Sequence, residues 1–249
     1  PIENPSGSMI IDIGGGTSDI AIISLGQVVV DKTIRLAGDQ IDHEIISYIK
    51  QNFGLQIGDR TAEDIKIALG DMMIIDTLLQ VEEYRKSVLE TKESIKKETK
   101  VKRKPSLNVE EPTAEVVETL ENEWELFLKN YKEPSALIRG RDIKSGLPKE
   151  IRIFASDLFV PISKVVDSIV DSAKDAIEAA PPEILGDLLT NGITLAGGGA
   201  LIRGIDKYFH KKLATPILIA EDPISCVVRG CTIVLNSLDL LKRIGNSEE

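Results

Sequence analysis

Two glycine runs, one near each end of the sequence, constrain this chain more than any other feature. Ser8 to Ile13 is a short apolar stretch leading into Gly14-Gly15-Gly16-Thr17, and Gly192 to Ala196 leads into Gly197-Gly198-Gly199-Ala200. Glycine reaches positive φ and lets backbone N–H groups approach an anion with no Cβ in the way, and successive N–H groups in such a turn form a nest for phosphate oxygens. In the first run Thr17 adds a hydroxyl donor, and Asp12 stands where a carboxylate can hold Mg²⁺ through water. A plain glycine-rich hairpin turn is the other reading, although three glycines exceed what two strands need. The second run lies between a strand and a helix, where bare backbone near a helix N-terminus admits a phosphate or a flat ring. It is neither Gly-x-Gly-x-x-Gly nor a Walker loop, and alone it fits an ordinary turn equally well. Together the runs suggest two sides of one nucleotide cleft.

Residues 8–36 read as three strands in an antiparallel meander, broken at the first glycine run and at Leu25-Gly26. From Asp39 the apolar period becomes helical through Ile41, Ile45, Ile46 and Ile49, until Phe53-Gly54. A second helix is expected to open at Arg60 with Thr61 as N-cap and to close at Gly70. After Pro134 come short strands near 136–139 and 150–154. A long helix follows from Ser156 to Ala180, stopped by Pro181-Pro182. A helix near 202–212, a strand at 216–220 and a closing helix from Asp222 to Ile244 complete the pattern.

Residues 71–135 differ in texture. Val81, Tyr84, Val88, Thr91 and Ile95 follow heptad spacing, and Val117, Leu120, Trp124, Phe127 and Tyr131 form a second seam. The segment between is basic from Lys96 to Lys104, and the second helix opens on Glu110, Glu111, Glu115, Glu118 and Glu121. Two amphipathic helices joined by a polar loop predict an antiparallel helical hairpin.

Several functions leave no trace. A net charge of −10 repels phosphate backbones, so nucleic acid is not an expected partner. The two cysteines, Cys226 and Cys231, make no disulfide framework and fit a reducing compartment. No apolar run reaches the roughly 18 residues of a membrane span. His43 and His210 are too far apart to form a motif; no zinc spacing and no Ser-His-Asp arrangement stands out. The chain opens on Pro1 without a leader pattern and enters a strand almost at once, as expected of a start inside a longer protein.

The Asp12–Thr17 and Leu195–Leu201 runs resemble the second phosphate loop and the adenosine loop of the actin, Hsp70 and sugar-kinase superfamily. Within it, Ile22-Ile23-Ser24-Leu25-Gly26, Ile34-Arg35-Leu36-Ala37-Gly38-Asp39, Arg60-Thr61-Ala62-Glu63-Asp64-Ile65-Lys66, Arg139-Gly140-Arg141-Asp142, Ala220-Glu221-Asp222-Pro223 and Cys226-Val227-Val228-Arg229-Gly230 look like the bacterial cell-shape actins of the MreB type. The likeness covers about residues 1–70 and 135–245.

That resemblance implies an α/β fold, the C-terminal lobe of an actin-like ATPase. Residues 1–38 and 146–249 would form an RNase H-like nucleotide-binding subdomain. Residues 39–145 would form a smaller inserted subdomain that carries an extra helical hairpin at 77–132. ATP and Mg²⁺ are the implied cofactors. Gly14, Gly15, Gly16 and Thr17 would grip the β- and γ-phosphates, and Asp12 would act catalytically by orienting Mg²⁺ and its water. Glu63, Asp64, Ile65 and Lys66 would flank ribose and adenine, and Gly197, Gly198, Gly199 and Ala200 would floor the adenine. By spacing alone, Glu63 and Lys66 are a solvated helical pair. The complete protein would be a slow ATPase, cytoplasmic, self-associating into membrane-associated filaments and working with the cell-wall elongation machinery at the inner membrane. The family's other phosphate loop and its water-positioning residue have no counterpart in these residues, so this chain alone is expected to bind ATP weakly and hydrolyse it poorly. The hairpin is longer than the family's connection there, at the tip that faces the next subunit. A non-catalytic half-actin adaptor and an Hsp70-like chaperone ATPase are the alternatives. The chaperone would need a β-rich substrate domain, and a sugar kinase would need a carboxylate base beside a sugar pocket.

Overall fold

The structure, a computed structural model, describes residues 7–101 and 123–237. It divides into two compact units, one of residues up to Met73 together with those from Ser135 onward, the other Ile74–Pro134.

The first unit is built on a five-stranded sheet. β1 (Ser8–Ile13), β2 (Ser18–Ser24) and β3 (Gln27–Ile34) form the expected antiparallel meander. At the β2–β3 turn Leu25 and Gly26 both take positive φ, 52° and 74°, the mirror-image turn whose twist suits a hairpin. Alternation decides which face is buried. Met9, Ile11 and Ile13 pair in register with Ile22, Ile20 and Ser18, and all six are buried. β7 (Ile193–Ala196) lies parallel to β1 on its other side, and β8 (Ile217–Ile219) lies parallel to β7, giving the order β3-β2-β1-β7-β8.

The long helix α5 (Ala155–Ala179) packs on β2 and β3 with Leu158, Ile162, Val165, Val166, Ile169 and Val170 buried. Each such aliphatic side chain contributes about 1.5–3 kcal/mol by leaving water. α6 (Pro182–Asn191) follows, a helix that the proline pair opens rather than excludes, since proline suits a first helical turn. α7 (Ile205–Leu213) makes the crossover between β7 and β8.

Between β3 and the second unit, α1 (Gly38–Phe53) ends on Gly54 in the left-handed conformation. The two-residue strand β4 (Leu55–Gln56) joins a second sheet with β5 (Ser135–Asp142) and β6 (Pro148–Phe154), in the order β4-β5-β6. α2 (Asp59–Leu69) starts one residue before the expected Arg60. Its N-cap is Gly58, so Thr61 lies inside the helix and caps nothing. The expected closing helix is interrupted. A 3₁₀ turn at Pro223–Ser225 precedes α8 (Cys226–Leu235), which ends at the C-cap Asn236, and residues 238–244 lie outside the described residues.

In the second unit α3 (Ile74–Val101) packs against α4 (Glu123–Asn130). The Arg85 guanidinium donates to the Tyr131 carbonyl at 3.4 Å. Val81 is buried, and Tyr84 and Val88 are half-buried, along the expected seam. On α4 the seam is turned by one residue. Leu128 is buried while Phe127 is 42% exposed and stacks at an angle on Tyr131, one helical turn on. Val117 and Leu120 lie outside the described residues.

Candidate functional site

β1 and β7 are adjacent and parallel, with Asp12 opposite Ala196. Both glycine runs therefore leave from neighbouring strand ends that point the same way. The space beyond the carboxyl ends of parallel strands is where open α/β sheets bind ligands. A cleft of about 740 Å³ opens there, within the first unit. Ligand pockets span about 300–1,000 Å³.

The first run is folded tightly and tied to α1. Gly14 N–H donates to the Thr17 carbonyl at 2.9 Å, Gly38 N–H to the Gly14 carbonyl at 3.1 Å, and Asp39 N–H to the Gly15 carbonyl at 2.8 Å. Gly14 and Gly15 line the cleft, joined by Gly38, Asp39, Ile41 and Asp42. A Cβ built on Gly15 or Gly16 would stand 3.6 or 3.8 Å from the Asp39 carboxylate, so that carboxylate faces the loop directly. Thr17 is exposed, and its hydroxyl donates to Asp19 Oδ2 at 3.3 Å, away from the role of anion donor. Asp12 is half-buried; burial, and then the negative Asp19 opposite it across the strands, raises its carboxyl above the usual range.

The second run packs directly on the first strand. Gly197 has φ +78°, and its N–H donates to the Pro223 carbonyl at 2.9 Å. Gly199 touches the Ile13 side chain closely enough to exclude any Cβ, whereas Gly198 has open space on its side-chain face. Gly198 and Gly199 line the cleft with Leu201 and Ile202, whereas Gly197 and the buried Ala200 are not among its lining residues.

α2 makes the third wall. Its Glu63, Lys66 and Ile67 line the cleft together with Asp59 and Arg60. Helical rotation keeps Asp64 and Ile65 out: Asp64 is exposed elsewhere on the helix, and Ile65 is buried among the core residues, so neither reaches the cavity. The helix is held against the second run through Arg203, whose carbonyl accepts Met72 N–H at 2.8 Å and whose guanidinium donates to the Ala68 carbonyl at 2.8 Å.

Three features of the cleft were not anticipated. Ile67 is 72% exposed and Ile224 69% exposed, both on the cavity wall. Such bare apolar walls suit a flat ring. Asp42 is buried and bonded to Lys66. Two of the three, Ile67 and Asp42, leave a signal in the sequence. Ile67 is apolar on the face of α2 that otherwise presents Asp59, Arg60, Glu63 and Lys66, and Asp42 sits three and seven residues before Ile45 and Ile49 on the apolar stripe of α1.

A family model described as MreB/Mbl protein matches residues 1–122 and 92–243. The chain belongs to the MreB/Mbl family. The cell shape-determining protein Mbl of Bacillus subtilis (strain 168) is 34% identical over 242 residues, covering 97% of this chain and 56% of that protein. MreB of Escherichia coli (strain K12) is 28% identical over 240 residues, covering 96% of this chain and 53% of that protein. Among solved structures, MreB5 of Spiroplasma citri bound to AMPPNP superposes with a TM-score of 0.70 at 34% identity, over 99% of this chain and 57% of that one. The fold is thus the α/β fold of the actin-like ATPases, and the chain spans about half the length of the MreB/Mbl relatives it matches. The two stretches matched by the family model overlap at residues 92–122, inside the helical unit. Among the described residues no helix is long and apolar enough to cross a membrane.

Proposed function

We propose that this chain forms one lobe of an ATP-binding, filament-forming bacterial actin that governs cell shape and guides cell-wall synthesis. The carrying observation is the convergence of Gly14–Gly15, Gly198–Gly199 and the Glu63–Lys66 face of α2 on one cleft. That a similar protein, MreB5, was solved with AMPPNP supports the same reading.

Each group has work that its chemistry suits. The Gly14–Thr17 loop would donate to phosphate oxygens through the amides of Gly15, Gly16 and Thr17, the Gly14 amide being held by the Thr17 carbonyl. Glu63 would accept a ribose hydroxyl, and Lys66, one helical turn on, would donate to a neighbouring acceptor. Ile67, Leu201 and Ile224 would cover the base, and Gly198, with nothing over its side-chain face, would let the ring lie on bare backbone. The Asp12 and Asp39 carboxylates stand beside a loop built for anions, and phosphate there needs a cation to offset them. No cluster of three or more His, Cys, Asp or Glu among the described residues could cage a metal. Mg²⁺ would therefore be carried by phosphates and waters, with Asp12 holding it through water. ATP, when bound, supplies the charge and the cleavable bond by which one arrangement of two lobes is favoured over another.

Residues 1–38 and 146–249 then form the RNase H-like subdomain and 39–145 the inserted one, with slow hydrolysis a property of the complete protein. Its setting would be the cytoplasmic face of the inner membrane, as filaments working with the cell-wall elongation machinery.

Titration of the chain with a fluorescent ATP analogue and Mg²⁺ tests the cleft. Saturable binding is expected, and Glu63→Gln or Lys66→Met should each weaken it about tenfold, the size of one lost charge-assisted hydrogen bond. No saturation at millimolar nucleotide would overturn the reading.

The helical hairpin at 77–132 would modify contacts between subunits. Its separate compactness supports its being an insertion. Removing residues 77–132 should leave nucleotide binding unchanged and alter assembly of the complete protein, measured by sedimentation. Unchanged assembly would reduce the hairpin to a decoration.

A further inference from the structure

We propose that Asp42 is a positioning residue that holds Lys66 in the cleft and, through Gly38, ties the nucleoside wall to the phosphate loop. This rests on the nucleotide-cleft reading and assigns a role within it to a residue that lies outside both glycine runs.

Asp42 sits on the apolar face of α1 and is only 9% exposed. Its Oδ2 accepts from Lys66 Nζ at 2.8 Å, and both side chains are largely out of water, at 12% and 14% exposed. Its Oδ1 is buried with no hydrogen-bond partner among the described residues. A half-satisfied buried carboxylate is costly, and an apolar residue there would serve folding better. Positioning offers a reason for keeping it. Lys66 Nζ has three N–H donors. One goes to Asp42 and one to the Gly38 carbonyl at 3.3 Å, which leaves the third for the cavity that Lys66 lines. A lysine has four rotatable carbons, and without these two anchors its ammonium would wander over several ångströms.

The same anchors reach the phosphate side. Gly38 accepts from Lys66 through its carbonyl and donates through its N–H to the Gly14 carbonyl at 3.1 Å. The next residue, Asp39, donates to the Gly15 carbonyl. A Cβ on Gly38 would stand 3.3 Å from the Gly14 carbonyl oxygen and 3.5 Å from Lys66 Nζ, so the crossing is closely fitted. Moving Lys66 therefore moves the peptide that holds Gly14.

The arrangement is also sensitive to protons. Burial raises the Asp42 carboxyl, Lys66 opposes that by its hydrogen bond and charge, and Glu63 of α2 and Asp39 of α1 push it up further. As pH falls, Asp42 thus loses its charge earlier than an ordinary carboxylate, and Lys66 loses its anchor with it.

The test is the affinity of the 249-residue chain for a fluorescent ATP analogue with Mg²⁺, in wild type, Asp42→Asn, Lys66→Met and the double variant. Asp42→Asn is expected to weaken binding about tenfold at neutral pH. It should add nothing in the Lys66→Met background, because the two act as one unit. The gap between wild type and Asp42→Asn should narrow as the pH is lowered, which a merely structural role would not produce. Should Asp42→Asn fail to fold, the comparison of wild type with Lys66→Met still decides, since only wild type should show the extra decline in acid. Equal affinities for wild type and Asp42→Asn, an undiminished loss in the Lys66→Met background, or parallel pH profiles would each overturn the proposal. If wild type itself fails to bind, it is the cleft assignment that falls, and this inference with it.

Discussion

Gly197→Ala is expected to lower the stability of the chain by roughly 2–5 kcal/mol and to abolish measurable ATP binding. Gly197 combines φ +78° with ψ 172°, a region that only glycine occupies without strain. Space is closed as well. A methyl group there would collide with the Ile13 carbonyl oxygen and the Asp12 Oδ1, both belonging to the neighbouring parallel strand. Relief would require the loop to move away from β1, which breaks the bond from Gly197 N–H to the Pro223 carbonyl and shifts Gly198 and Gly199 out of the cleft. Gly198→Ala is the matched control. Its side-chain face meets nothing within 4 Å, so it should cost at most about 1 kcal/mol. Urea denaturation of both variants reads the difference. Equal midpoints would mean that the second glycine run is a loose turn and does not pack on the first strand.

Phe209→Ala should cost about 3–5 kcal/mol, the usual loss for emptying a fully buried aromatic site. Phe209 is fully buried on α7, beside Ile205 and Tyr208 on the same helix face. The helix sits between β7 and β8 in the chain and contacts both β8 and α5. It begins just after the second glycine run, so its anchorage also holds the cleft floor at Leu201 and Ile202. The measurement is again the urea midpoint, with nucleotide affinity followed below the transition. A loss under about 1 kcal/mol would show that α7 can repack around the void, and the helix would then not be a rigid support.

Much of this architecture is legible from local pattern because local rules act on it. Period-two alternation marks the strand in Met9, Ile11 and Ile13, and Leu25-Gly26 marks the hairpin turn by its need for positive φ. Ile41, Ile45 and Ile49 mark one face of α1, and Gly54 its end. The short strand β4 left no signal because two residues carry no period, and α6 was hidden behind a proline pair that reads as a stop but also opens a helix. The resemblance sets Asp64 and Ile65 beside Glu63 and Lys66, their neighbours in the chain. A helix separates neighbours by about 100° each, which turns Ile65 into the core.

Read along the chain, the residues already carry the parts: two glycine runs after apolar strands, an α/β pattern, two helical seams and the likeness to a cell-shape actin family. How those parts meet is a matter of packing across the whole chain. β1 and β7 are hydrogen-bonded neighbours although most of the chain lies between them, and their parallel direction sends both runs to one edge. Asp42 is held under Lys66 because α1 and α2 pack together, a contact that neither helix's own period records. Local periodicity reports the face an element buries, whereas its partner is chosen by the packing of the whole chain, and the cleft depends on that choice.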